Sequence, residues 1–157
     1  MNPHATTLLL VWLALYTGHQ IADHWLQTRD QAYGKGGDDW PARLAGLRHV
    51  AVHAAVKALA VTVLWAVVGL PVTAWALALG LAVDGASHYW ADRRSTLLWL
   101  AAAMDKIGPF GKADFYRLGA PRPGRDDNPS MGTGAAALDQ SWHMVWLFIA
   151  ALLVAAL

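Results

Sequence analysis

The stretch HVAVHAAVKALAVTVLWAVVGLPVTAWALALGLAVDGASH, residues 49–88, decides the fold of this chain. It contains two long apolar runs separated by Gly69, Leu70 and Pro71. Because Gly commonly ends a helix and Pro commonly begins one, this short segment predicts a tight reversal between two helices. A helix needs about 20 mostly apolar residues to cross a bilayer. The stretch therefore predicts a pair of membrane-spanning helices.

The composition of the whole chain agrees with a membrane protein. Residues of the set AVILMFWYC make up 56% of the 157 residues, and charged residues make up 15%. Soluble domains typically contain about 25% charged residues. The nine Trp residues agree as well, because Trp is enriched at membrane–water interfaces. A net charge of +1 gives no electrostatic case for a nucleic-acid partner.

Four apolar runs predict an all-α, polytopic membrane protein, a four-transmembrane-helix bundle with up-down topology in a single domain. The predicted spans are residues 5–27, 44–69, 72–90 and 135–157. Residues 95–107 carry apolar side chains at helical spacing, which predicts a short amphipathic helix in the membrane interface. Residues 108–134 are rich in Gly and Pro and predict a long cytoplasmic loop that can act as a lid.

The basic residues predict the orientation of the helices. Of the twelve Lys and Arg residues, all except Lys57 lie in the two polar loops or at the helix ends beside them. The positive-inside rule then places both loops in the cytoplasm and both termini outside, with membrane lipids as partners of the chain. A cleaved signal peptide is the alternative interpretation of the first run, but no Lys or Arg precedes that run.

Each predicted span contains a pair of ionisable side chains four residues apart, which places both on one face of a helix. The pairs are His19 and Asp23, His49 and His53, Asp84 and His88, and Asp139 and His143. Counted along an up-down bundle at about 1.5 Å per residue, all of them lie about 20–30 Å from the outer surface. The four pairs are therefore expected to meet in one layer.

Such a layer needs compensation, because an Asp at the centre of a membrane helix costs about 2.5–3.5 kcal/mol. A divalent cation supplies it, since imidazole nitrogen and carboxylate oxygen are common metal ligands. The chain has no Cys that could offer a thiolate. We expect one or two ions, zinc in the first place and iron or manganese otherwise. The alternative is a hydrogen-bonded network of the same residues without metal.

A metal-dependent hydrolase is the function that this layer favours. The ion would activate water and polarise a phosphoester, ester or amide of a small-molecule or lipid substrate. The candidate general base is Asp92, one turn beyond His88, or else an Asp that holds no ion. Lys57, one turn beyond His53, is expected either to stabilise a developing anion or to neutralise Asp84 as a counter-ion.

Three other functions stay open on the sequence. A divalent-metal transporter or sensor also uses paired ligands on membrane helices, although transport sites usually lie between internal repeats and none is visible here. An oxygen-activating di-iron enzyme uses the same types of ligand. A non-catalytic membrane scaffold would need these residues for folding alone.

Four blocks of the sequence resemble a known family. They are HQIADHWLQT at residues 19–28, RHVAVH at 48–53, SHYWADRR at 87–94 and LDQSWH at 138–143. Together they resemble the bacterial and phage membrane-protein family named Domain of Unknown Function 3307, over nearly all of the predicted spans. This resemblance implies a polytopic membrane protein and no particular chemistry. A looser similarity to small bacterial membrane proteins labelled metal-dependent hydrolases implies hydrolysis by analogy alone.

Overall fold

The computed structural model describes residues 3–120 and 132–157, and all the regular structure in these residues is helical. In chain order the helices are α1 (Pro3–Ile21), α2 (Arg29–Gly34), α3 (Trp40–Val68), α4 (Ala74–Asp92), α5 (Ser95–Ile107), α6 (Lys112–Arg117) and α7 (Gly134–Ala156). One π-helical turn, Ala22–Leu26, continues α1. The predicted all-α class is confirmed for the described residues.

Three helical segments are long and apolar enough to cross a membrane, and they indicate a membrane protein. They are His4–Leu26, Trp40–Val68 and Gly134–Ala156. The fourth predicted span is present as helix α4, but its mean hydropathy is lower because Asp84, Ser87, His88 and Asp92 lie on it. All four of these side chains are buried inside the protein. That α4 crosses the membrane therefore stays a prediction.

The four long helices pack in a ring, with α1 against α3, α3 against α4, α4 against α7 and α7 against α1. The apolar core contains buried side chains from the middle of α1 and the last halves of α3 and α7. Among them are Val11, Leu15, Val61, Leu147 and Val154. The core thus occupies the end of the ring near Gly69, and the ionisable residues occupy the other end.

The outer surface of the ring is apolar. Leu13 is 53% exposed on α1, and Leu59 and Trp65 are 63% and 59% exposed on α3. A helix that carries apolar side chains both inside and outside is typical of a membrane span. The exposed apolar surface therefore agrees with the composition.

The reversal between α3 and α4 forms as predicted. Gly69 ends α3 with φ of 65°, a left-handed conformation that Gly adopts without steric cost, and its N–H donates to the Trp65 carbonyl over 3.0 Å. Thr73 precedes α4 and accepts a hydrogen bond from the Ala76 N–H over 3.3 Å. These two caps fix the ends of both helices within a short connection.

Helix α3 begins at Trp40 rather than at the predicted residue 44. Asp39 accepts a hydrogen bond from the Ala42 N–H over 2.9 Å, and Pro41 lies in the first turn. Both are strong signals for a helix start. The first turn carries Pro41 and the charged Arg43, so a search for apolar runs places the boundary too late.

Two short helices lie where the sequence predicts loops. Thr28 and Gln31 form a capping box that begins α2. Helix α6 forms because the Asp105 carboxylate accepts hydrogen bonds from the N–H groups of Lys112 and Ala113, over 2.7 and 2.8 Å. The structure thus corrects the expected irregular loop over residues 112–117, and residues 121–131 of that loop lie outside the described part of the chain. Helix α5 has the predicted bounds.

The Asp105 carboxylate provides a pH-dependent hold on α6. Its hydrogen bonds from the backbone N–H groups of Ala113 and Lys112 keep the pKa of Asp105 below its ordinary value. The stabilisation of α6 is therefore complete above the pKa of about 3.9 that Asp105 has in the unfolded chain, and it is lost as the pH falls through the lower pKa of the folded state.

We expect Asp105→Asn to accelerate amide hydrogen exchange in α6 at neutral pH, as measured by mass spectrometry. The control is Asp30→Asn in α2, and exchange rates equal to wild type in Asp105→Asn would contradict the expectation.

Candidate metal centre

Five imidazoles meet between the four long helices. His19 comes from α1, His49 and His53 from α3, His88 from α4 and His143 from α7. Each of them is at most 1% exposed. Neighbouring rings have centroids between 4.1 and 5.5 Å apart. The expectation that these residues converge at one level is confirmed for all five.

Asp23 lies among three of these imidazoles. Its Oδ1 is 3.2 Å from His49 Nε2 and 3.3 Å from His53 Nε2, and its Oδ2 is 3.3 Å from His19 Nε2. Asp23 belongs to the π-helical turn that continues α1. A π turn widens a helix locally and is frequent at functional sites. The π turn thus carries Asp23 among the imidazoles.

Asp92 lies on the last turn of α4 and is 4% exposed. Its Oδ2 is 3.2 Å from His88 Nε2 and 3.5 Å from His49 Nε2, while its Oδ1 is 2.8 Å from Lys35 Nζ. The sequence predicts Asp92 to be a general base. The structure places it inside the cluster, buried, with Oδ1 paired with Lys35 and Oδ2 beside two imidazoles, which suits a ligand better than a base that exchanges protons with substrate.

Two groups of ligand atoms in the described residues are compact enough to hold a metal ion. The first group is Asp23, His49, His53 and His88, and the second is His88, Asp92 and His143. Within each group the ligand atoms lie within 4.8 Å of one another, and His88 belongs to both. Imidazole nitrogen and carboxylate oxygen suit zinc, iron and manganese. This buried group of side chains can therefore hold a metal ion.

Many polar atoms of the cluster have no hydrogen-bond partner among the described residues. They are both ring nitrogens of His19, His53 and His143, Nδ1 of His88 and Oδ2 of Asp92. Some approach a carboxylate or imidazole within 3.5 Å, but not at hydrogen-bonding angles. A buried polar atom left unpaired costs about 1–3 kcal/mol, so this number of them calls for a common partner. A metal ion would be such a partner, because nitrogen and oxygen atoms of this kind donate their lone pairs to it.

Asp84 pairs with Lys57 and lies outside both ligand groups. The Lys57 ammonium donates to Asp84 Oδ2 over 2.6 Å, and the two residues are 0% and 3% exposed. Helix α1 comes so close at Gly18 that a Cβ there would lie 3.0 Å from the Lys57 Cα. The structure thus favours the counter-ion role for Lys57. It also places Asp84, which the sequence predicts to be a metal ligand, in that ion pair.

Asp139 lies at the edge of the cluster. Its Oδ1 is 3.4 Å from His143 Nε2, and its side chain is 30% exposed. The side-chain amide of Gln140 donates to its Oδ2 over 3.3 Å. The sequence predicts Asp139 as a ligand, but it falls outside both ligand groups of the described residues. Its position is that of a partly solvated carboxylate beside a buried imidazole.

Two residues that the sequence analysis does not single out contact His49. Lys35 Nζ lies 3.1 Å from His49 Nε2, and Gln27 Nε2 lies 3.2 Å from the same atom. Lys35 follows α2, and Gln27 follows the π turn. Gln27 lies four residues after Asp23, so helical spacing could have indicated it, whereas the position of Lys35 depends on the short helix α2 and the turns beside it. The capping box at Thr28 is the one sequence signal that indicates ordered structure in this region.

Two consecutive arginines after α4 fix the segment that carries Lys35. Arg93 donates to the Lys35 carbonyl over 3.3 Å, to the Gly37 carbonyl and to the Asp38 carboxylate over 3.1 Å. Arg94 donates to the Ala32 carbonyl over 2.8 Å. These contacts attach the chain between α2 and α3 to the end of α4.

Models of known protein families, curated proteins and solved structures contain no match to this chain. The resemblance to Domain of Unknown Function 3307 therefore stays a prediction. The proposed function rests on the cluster, on its types of ligand, its burial and its unpaired polar atoms.

Proposed function

We propose that this protein is a membrane-embedded, metal-dependent hydrolase that holds one or two divalent ions, zinc in the first place. The observation that carries this proposal is a set of five buried imidazoles whose ring nitrogens mostly lack hydrogen-bond partners within the described part of the chain, although carboxylates lie among them. A structural polar network without metal would pair most of these atoms, because buried polar groups in proteins are nearly always hydrogen-bonded.

The proposal includes α4 as a fourth membrane span in an up-down bundle. Its 19 residues are about 28 Å long at 1.5 Å per residue, close to the thickness of a hydrocarbon core. Its ionisable residues are buried within the bundle, whereas Trp75 and Leu79 are 56% and 38% exposed. Ionisable groups in membrane helices nearly always face the bundle interior in this way.

The orientation follows from the basic residues at the cluster end of the bundle. Lys35, Arg93 and Arg94 all lie there, and the positive-inside rule favours the cytoplasmic side for such a cluster of charge. The centre would then face the cytoplasm of a bacterial inner membrane, with both termini outside. Small-molecule or lipid substrates would approach from the cytosol or from the inner leaflet.

Asp139 is the residue that we assign to proton transfer. Either ligand group would hold an ion, and a bound ion would supply the Lewis acidity that polarises an ester, phosphoester or amide. Asp139 remains outside both groups, is partly solvated and contacts His143, so it can accept a proton from attacking water and pass it to the leaving group. The Lys57–Asp84 ion pair beside the cluster carries no net charge.

The enclosure of the cluster favours one alternative function, divalent-metal transport or sensing. With every imidazole at most 1% exposed, a bare cation reaches the centre more easily than an organic substrate does. The two functions differ in what the loaded protein does. A hydrolase turns over a substrate in detergent, whereas a transporter moves ions across a sealed membrane.

The test combines metal content with turnover. Detergent-purified protein, prepared without chelators, is analysed for bound metal and is then assayed against a panel of phosphoesters, carboxylic esters and amides. We expect stoichiometric zinc, and Asp139→Asn should retain it while kcat falls about 100-fold or more, as for loss of a general base. Asp114→Asn, in which the replaced carboxylate is 96% exposed, is the matched control.

Two results would contradict the hydrolase. Absence of stoichiometric metal at neutral pH would leave the polar network as the function of these residues. If no substrate of the panel is turned over and zinc is taken up into proteoliposomes, the protein is a transporter instead.

A further inference from the structure

Lys35 places a positive charge inside the candidate metal centre. Its ammonium lies 2.8 Å from Asp92 Oδ1 and 3.1 Å from His49 Nε2, and its side chain is 12% exposed. Asp92 belongs to the second ligand group and His49 to the first. A side chain from outside the four long helices thus contacts one ligand of each group.

At His49, the Lys35 ammonium and a metal ion would compete for the same nitrogen atom. An ammonium group only donates hydrogen bonds, so it pairs with His49 Nε2 in the tautomer whose lone pair lies on that atom. A metal ion bound by His49 through Nε2 would need the same lone pair. His49 Nε2 can serve one of the two cations at a time.

The contact with Asp92 acts in the same direction. The ammonium neutralises a carboxylate that is 4% exposed, and a buried carboxylate without a cation is strongly disfavoured. Removal of the ammonium would leave this charge to be balanced by an ion at the second group. Both contacts of Lys35 therefore weaken the attraction of the centre for an added cation.

Lys35 lies in a short segment between α2 and α3 and not on one of the four long helices. We call residues 32–38, which end α2 and lead toward α3, the strap. Its attachments are to the end of α4, through the hydrogen bonds of Arg93 and Arg94 described above. Gly34, Gly36 and Gly37 flank Lys35 and give the strap few side-chain contacts of its own.

We propose that Lys35 is a tethered cation that competes with the metal ion for His49 and Asp92, so that metal binding displaces Lys35 and releases the strap. The inference rests on the proposed metal centre and adds to it a built-in regulator of metal affinity. The strap would cover the centre while Lys35 occupies it. It would open the cluster end of the bundle when an ion replaces the ammonium.

The first test measures zinc affinity. Lys35→Met keeps the length of the side chain and removes its charge, and Lys106→Met makes the same change at an exposed position on α5. Competition with a fluorescent chelator should show zinc bound about tenfold or more tightly by Lys35→Met than by wild type, the effect of about one charged hydrogen bond. Lys106→Met should match wild type. Arg93→Gln, which loosens the strap, should change the affinity in the same direction by a smaller factor.

The second test observes the strap directly. Because the chain has no Cys, a nitroxide label on Tyr33→Cys reports from a single site within the strap that is 68% exposed. In the protein that is otherwise wild type, zinc should increase the mobility of the label and so narrow the lines of its electron paramagnetic resonance spectrum. In Lys35→Met the label should already be mobile before zinc is added.

The outcomes separate this inference from the proposed function. Zinc bound by wild type and Lys35→Met with equal affinity, or more weakly by the variant, would overturn the competition while leaving the metal centre intact. A label whose mobility does not respond to zinc would overturn the movement of the strap. Absence of zinc binding in wild type and variant alike would refute the metal centre and the inference together.

Discussion

Replacing His88 with Ala is expected to remove all tightly bound metal from the protein. His88 is the one residue shared by the two ligand groups, and it lies at the centre of the cluster with ring centroids 4.1 Å from those of both His53 and His143. Loss of residues that merely orient metal ligands lowers affinity about 10–100-fold, so loss of a shared ligand should lower it by more than about 100-fold. Elemental analysis of the purified variant measures the effect.

Two further variants show that the effect belongs to the metal centre. His24→Ala removes an exposed imidazole next to Asp23 and should leave the metal content unchanged. His143→Ala removes a ligand of the second group alone, so it should retain the ion held by the first group. Full metal content in a folded His88→Ala protein would contradict the proposed centre.

The convergence of the imidazoles could be predicted because it depends on the regular geometry of helices. Spacing of four residues fixes a face of a helix, and counting along the predicted spans fixes a depth. Neither quantity requires the identity of the packing partner. For this reason His19, His53 and His143 lie where the sequence placed them.

The partner of each carboxylate could not be predicted in the same way. Asp84 shares its layer with the imidazoles but meets Lys57 first, because their side chains face each other between α3 and α4 and join at 2.6 Å. The sequence predicts Asp92 to transfer protons because it lies one turn beyond His88 on the same helix. Its real environment depends on Lys35, whose position is set by α2 and the strap.

The fold was predictable to a similar extent. Apolar runs and the Gly69 reversal indicate the long helices, since both are properties of local sequence. Helix α6 depends on hydrogen bonds from the Asp105 carboxylate several residues upstream, and its own six residues carry no strong helix signal. Local capping of that kind is visible only once the chain between α5 and α6 has folded back.

The other large effect is expected from Asp84→Ala, which leaves the Lys57 ammonium buried without a partner. Breaking a buried ion pair on one side costs about 3–5 kcal/mol, because the remaining charge stays desolvated. Lys57 is 0% exposed, and Gly18 of α1 packs against its backbone, so the side chain has little room to reach water. Unfolding in detergent with increasing denaturant should show the loss, with helical content followed by circular dichroism.

A double variant separates the ion pair from the metal centre. Lys57→Met combined with Asp84→Ala removes both charges, and replacement of both partners by apolar groups is often neutral or stabilising, so most of the lost stability should return. The double variant should also bind zinc as wild type does, because neither residue belongs to a ligand group. If stability returns but zinc affinity stays low, Asp84 is a metal ligand after all, and the carboxylate must leave Lys57 when an ion binds.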